Sequence, residues 1–204
     1  MRAIASSTGV DYALDVTLNH DKQITAAFGG ELLAMHARAR RAAREIAMQP
    51  VSQLFDIVVT TNSGYPLDQN LYQAVKGMSA AANVVKPGGL IICASECRDG
   101  LPDHGLYAQL LTEADSPAEL LELLSTSAQT RPDQWQVQIQ ARIQQRARIA
   151  VKADGLTGDQ LRAAHIEPCH DIAKAVDQER RRVGDGGRIC VLPQGPQTIP
   201  YLAS

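Results

Sequence analysis

The sequence predicts an α/β protein with a mostly parallel sheet flanked by helices in three layers, preceded by a partial β-hairpin and one helix. Three observations carry this expectation. Short apolar, β-rich runs such as "LFDIVVTT", "LIICAS", "RIAVKA" and "RICVLP" recur along the chain, and continuous apolarity marks strands buried on both faces. Helical stretches alternate with these runs. The connections are short and rich in Asn, Ser, Gly and Pro.

Taken in order, "DYALDVTLNHDKQITAAFGG" reads as two strands around a polar turn at Asn19, His20 and Asp21. "ELLAMHARARRAAREIA" is a helix of strong formers, with Leu32, Met35, Ala39 and Ala43 as its inner face and Pro50 closing it. A lone hairpin and helix cannot bury a core. Residues 1–51 are therefore expected to be the tail of a preceding domain, and residues 52–204 one α/β domain. In that domain the strand "LFDIVVTT" leads through a turn-rich loop into a helix, with Asp68 as expected N-cap. Leu71, Val75, Met78, Ala82 and Val85 form its stripe, and Lys86 to Gly89 stop it. After the strand "LIICAS" come short helices, one capped by Ser116 with Pro117 at its first position. "QWQVQIQARIQQRA" follows Asp133, its expected cap. The remainder alternates strand and helix to the closing strand "RICVLP".

Composition removes several function classes. The 204 residues carry a formal charge of −2, with 45% hydrophobic, 21% charged and 4% aromatic side chains. That balance offers nucleic acid or an anionic membrane no overall attraction. Arg38, Arg40, Arg41 and Arg44, and Arg180 to Arg182, read as solvated helix faces. No apolar run reaches a membrane span, and no signal-peptide core opens the chain. Cys93, Cys97, Cys169 and Cys190 form no CxxC pair, which suits free thiols in a reducing compartment, so a cytoplasmic location is expected. Gly184 to Arg188 precede a strand instead of linking strand to helix, so they make no dinucleotide cradle. No serine sits in a G-x-S-x-G elbow. His165, Cys169 and His170 flank a short strand whose neighbours point to opposite faces, so no metal site is expected there.

The stretch "NSGYPLDQNLYQAVKG" carries the candidate chemistry. It places Tyr72, Gln73 and Lys76 in the first turns of a helix, beyond the carboxyl end of a strand. Open α/β sheets bind ligands at that end, and a helix start adds free N–H donors and partial positive charge. Tyr72 and Lys76, at i and i+4, are neighbours. These groups suit a small carboxylate. Spacing alone favours an ordinary amphipathic helix with a solvated lysine. Trp135, in line with Ile139 and Ile143 on its helix, reads by its spacing as a core residue.

The segment from Asp56 to Gly100 resembles the C-terminal domain of the nickel-pincer-dependent lactate racemase family. "VDYALDVTLNHDKQITAAFGGELLAMH", "PDQWQVQIQARI" and "ICVLPQGPQTIP" resemble further family segments in the same order. The resemblance implies that Tyr72, Gln73 and Lys76 contact a 2-hydroxy acid and its carboxylate, with Trp135 nearby. It also implies a nickel pincer nucleotide in the full-length family, held with the acid–base histidines by an N-terminal half. His20, His36, His104, His165 and His170 fall in none of those positions. The chain is therefore expected to hold no cofactor and no catalytic residue, and to be inactive alone. As partners it is expected to take a weakly bound 2-hydroxy acid, and a separate N-terminal half or a second copy of itself. The alternative expectation is a non-catalytic module binding a small anion or another protein.

Overall fold

A computed structural model describes residues 2–203. The chain divides into two compact units, with the boundary between Gln49 and Pro50.

The first unit holds helix α1 (Arg2–Ser7), strands β1 (Ala13–Leu18) and β2 (Ile24–Gly30), and helix α2 (Leu32–Ala47). β1 and β2 form the expected antiparallel hairpin, from Ala13 opposite Gly30 to Leu18 opposite Ile24, with a bulge after Thr17. Glu31 caps α2 through its carboxylate, which accepts from the Leu33 and Ala34 N–H groups, and these bonds hold its pKa below the usual range. α2 buries Met35 and Ala39, whereas Ala43, expected on the inner face, is exposed. On the hairpin Leu14 and Ile24 remain 69% and 67% exposed. One helix on two strands has too little surface to cover them.

The second unit contains the end of β3 (Met48–Val51), then β4 (Phe55–Thr61), α3 (Leu71–Ala82) and β5 (Val85–Ala94). Helices α4 (Tyr107–Leu111), α5 (Pro117–Thr126) and α6 (Gln134–Arg146) lead to β6 (Arg148–Lys152). α7 (Gly158–Ala163), β7 (Glu167–Pro168), α8 (Ile172–Val183), β8 (Ile189–Leu192), a 3-10 turn (Gly195–Gln197) and β9 (Ile199–Leu202) complete it. Five strands form one sheet in the order β7-β6-β5-β4-β8, and every pairing in it is parallel. Val51 accepts from the Ala203 N–H beyond β9.

Period-two alternation divides the apolar residues between the two faces of the sheet. Val58, Ile91, Cys93, Ile149 and Val151 join α3 to α7 in the large core cluster. Ile57, Leu90, Ile92 and Ala150 face the other way and pack with Ile172, Ala175 and Val176 of α8. Helices on both faces of a parallel sheet make the expected three layers.

Several local expectations need correction. α3 ends at Ala82, and the Lys86 to Gly89 segment lies within β5 instead of stopping a helix. Val85 therefore belongs to the strand, and the buried α3 face runs through Leu71, Ala74, Val75, Met78 and Ala81. The N-cap of α3 is Asn70, whose side chain accepts from the Gln73 N–H. Asp68 sits two residues earlier and braces the next loop instead, accepting from the Glu96 N–H at 3.0 Å. Asp133 precedes α6 with a left-handed φ of 62° and gives no side-chain cap. Its carboxylate accepts from the Leu106 N–H. Ser116 does cap α5, with Pro117 opening the helix.

Candidate functional site

α3 begins where the β4 loop returns to the sheet, and close backbone approach fixes its position. Gly77 lies against the end of β4, where a Cβ would fall 2.3 Å from the Thr61 carbonyl oxygen. Gly195 lies equally close, 2.4 Å from Thr60 Oγ1 and from the Thr61 oxygen. Only glycine leaves room for such contacts. Asn62 locks the loop to the helix: its Oδ1 accepts from the Gly77 N–H at 3.0 Å, and its Nδ2 donates to the Leu67 carbonyl. Asn62 and Asp68 are themselves buried. They are interior braces, and the exposed rim of the loop is Gly64 to Leu67.

On this base the first turns of α3 present Tyr72, Gln73 and Lys76. Tyr72 and Gln73 are half-buried and Lys76 is exposed. The Lys76 ammonium donates to Gln73 Oε1 at 2.5 Å, an arrangement that leaves the Gln73 amide N–H groups as donors. Among the described residues no carboxylate pairs with Lys76. Burial raises the Tyr72 pKa, and the negative charge of Asp133 raises it further. Tyr72 thus keeps its proton and acts as a donor. An ammonium, a phenol and an amide on one helical turn can together hold a carboxylate.

Trp135 stands on α6 beside this turn, its ring 5.9 Å from that of Tyr72 at 87°. Of its two sequence readings, the core one fails. Its side chain is 54% exposed, while Ile143 on the same helix is buried. Trp135 and Lys76 line a shared groove of about 430 Å³ with Ser79, Asn83 and Ile199. The Tyr107 ring also packs on Tyr72, 5.2 Å away at 74°. Sequence reasoning missed the groups behind the site: Asn62, Gly77, Gly195, Tyr107, Gln136 and Gln140. G-x-P with Asn62 just upstream was a turn signal, but nothing local shows that a glutamine on a polar helix is buried.

No thiol near the site is activated. Burial pushes Cys97 up to about 11, and raises Cys93 and Cys169 as well. Among the described residues no three His, Cys, Asp or Glu side chains are grouped to hold a metal ion. No helix of the described residues is long and apolar enough to cross a membrane.

Comparison with known proteins agrees with the fold. The profile of the lactate racemase C-terminal domain matches residues 51–199. Lactate racemase of Lactiplantibacillus plantarum is 35% identical over 193 residues, 94% of this chain and 45% of that protein. Lactate racemase of Thermoanaerobacterium thermosaccharolyticum is 33% identical over 196 residues, 96% of this chain and 46% of the relative. The lactate racemase apoprotein structure from the latter organism superposes with a TM-score of 0.90 at 32% identity, covering 98% of this chain and 48% of that one. A Thermotoga maritima protein superposes at a TM-score of 0.60 and 10% identity, covering 94% of this chain and 49% of its own, which shows the fold alone. These matches do not favour a stand-alone anion-binding module. The chain spans about half the length of the relatives it matches, and it belongs to the lactate racemase C-terminal domain family.

Proposed function

We propose that this chain is the substrate-closing half of a 2-hydroxyacid racemase or epimerase. The observation that supports the reading is the helix start that carries Tyr72, Gln73 and Lys76, where Lys76 bonds Gln73, Trp135 packs on Tyr72, and Lys76 and Trp135 line one groove. Lys76 holds the substrate carboxylate, Gln73 and Tyr72 orient it as donors, and Trp135 shields it from water. Such positioning supplies much of the catalytic effect in a site closed from two sides. The nickel pincer nucleotide that the family resemblance implies belongs, in this reading, to the other half of the racemase fold.

The partner we infer is the other half of the racemase fold, carrying the acid–base groups. Residues 1–51 belong with that half in this reading, and their exposed Leu14 and Ile24 support it. Four free cysteines support a reducing, cytoplasmic setting. The test is racemisation of enantiopure lactate and other 2-hydroxy acids by a preparation containing both halves and nickel. Lys76→Ala should lower kcat/KM by about 10- to 100-fold, the range for a hydrogen bond to a charged group. Arg182→Ala, which removes a partner of Glu179 on α8 and of the Gly88 carbonyl, away from Lys76, should leave it within about twofold. Equal effects of the two substitutions would refute the assignment.

A further inference from the structure

A buried glutamine is costly unless its amide atoms are paired. α6 buries two, one turn apart, and both reach toward the candidate site. Gln136 is 2% exposed, and its Nε2 donates to the Tyr72 carbonyl at 2.6 Å. Gln140 is fully buried. Its Oε1 accepts from the Tyr107 hydroxyl, and its Nε2 donates to the Ala164 carbonyl at 3.0 Å. The Tyr72 carbonyl lies inside α3, where the helical ladder already offers it the Lys76 N–H. The bond from Gln136 is therefore additional to what the helix needs. Among the described residues it is the one side-chain hydrogen bond between α3 and α6.

Its location gives it a further consequence. Gln136 follows Trp135, so the residue that joins α6 to the Tyr72 backbone is next to the residue that walls the groove. The Tyr72 ring meets both the Trp135 and the Tyr107 rings edge to face, and Tyr107 is held by Gln140. We propose that Gln136, with the Tyr107 ring anchored by Gln140, is the positioning frame that keeps Tyr72, Lys76 and Trp135 in one fixed arrangement. Its role rests on the reading of Tyr72 and Lys76 as acid-binding groups. Its geometry does not.

Trp135 is the only tryptophan of the chain, so one indole N–H resonance reports on the frame. The test compares Gln136→Met and Tyr107→Phe with Gln144→Met in the 204-residue chain. Gln144 also donates to carbonyls, those of Ala164 and His165, but it stands two turns beyond Gln136. Gln136→Met should preserve the far-ultraviolet circular dichroism, shift the indole resonance, lower its heteronuclear NOE and weaken the NOE between Trp135 and Tyr72. It should also weaken lactate binding by about two- to tenfold, the range for one neutral hydrogen bond. Tyr107→Phe should move the same signals less far, and Gln144→Met should leave them in place. If Gln136→Met moves the indole signals no more than Gln144→Met, the frame is refuted. If Gln136→Met does not fold, Tyr107→Phe decides, and unchanged indole signals in that variant overturn the proposal. Should lactate move no resonance of the unsubstituted chain, the acid-binding reading fails while the indole signals still decide the frame.

Discussion

α3 and α8 both start beyond the carboxyl end of a strand in the same sheet, and each carries one lysine in its first two turns. Their electrostatics differ. The cap of α8 is Asp171, whose carboxylate accepts from the Lys174 N–H and lies 3.6 Å from the Lys174 ammonium. The partial positive charge of that helix start is thus answered within the chain. The cap of α3 is neutral Asn70, and Lys76 meets only the Gln73 amide oxygen. Tyr72 of α3 is also packed by Tyr107 and Trp135, whereas α8 covers the sparser face of the sheet. A helix start with a lysine becomes a candidate anion site when its charge is left unanswered and its surroundings are rigid.

Breaking the rigidity of α3 should have the largest effect. Gly77→Ala drives a Cβ against the Thr61 carbonyl oxygen, and α3 must shift. We expect a loss of about 3 kcal/mol, seen as a fall of about 6–12 °C in Tm. Gly186, just past α8, has nothing within 4 Å of a Cβ, so Gly186→Ala should change stability by about 0.5 kcal/mol or less.

Next in size is the loss of the unanswered charge. Lys76→Ala should weaken binding of a 2-hydroxy acid by about 10- to 100-fold in an isothermal titration. Lys174→Ala should leave that binding unchanged.

A subtler substitution makes α3 resemble α8. Asn70→Asp puts a carboxylate at the cap, where Asp and Asn serve about equally well. Stability should hold or rise slightly by thermal melt, while affinity falls by about two- to fivefold through charge repulsion. Affinity and stability falling together would show that the cap acts through structure and not through charge.

The smallest expected effect is a pH dependence. The pKa of Asp171 is lowered, first by its bond to the Lys174 N–H. A lowered folded-state pKa means that its contribution is present above the unfolded value near 3.9 and is lost as pH falls through the folded value. Asp171→Asn should therefore flatten the stability curve at the acid end, below about pH 4, and lower stability slightly above that range, where the carboxylate's contribution is present.

The parts of this molecule legible in its sequence are those whose physics is local. β4, β5 and β6 stood out because burial on both faces leaves a continuous apolar run, and β8 is as apolar although it lies at the sheet edge with Ile189 and Val191 exposed. Ser116 could be recognised as a cap because its partner lies three residues on. The turn carrying Tyr72, Gln73 and Lys76 was legible as a helix start, although its cap was misplaced by two residues, since Asp68 and Asn70 are both good caps. What stayed hidden depends on distant partners. Val51 and Ala203 pair across the whole second unit. Gln136 and Gln140 look like a solvated face until Tyr72, Tyr107 and Ala164 are seen to take their hydrogen bonds. Trp135 was left between two readings for the same reason, because helical periodicity alone cannot say what faces it.

The central claim is that the first turns of α3 hold a 2-hydroxy acid by its carboxylate. The most direct measurement is a titration of the 204-residue chain with D- and L-lactate, followed by amide and indole resonances. The shifts should saturate at about millimolar concentration or above, as one charge-assisted contact on a half-open site would give. They should centre on Asn70 to Gly77 and the Trp135 indole, and disappear in Lys76→Ala. Shifts confined to the start of α8, or unaltered in Lys76→Ala, would contradict the account.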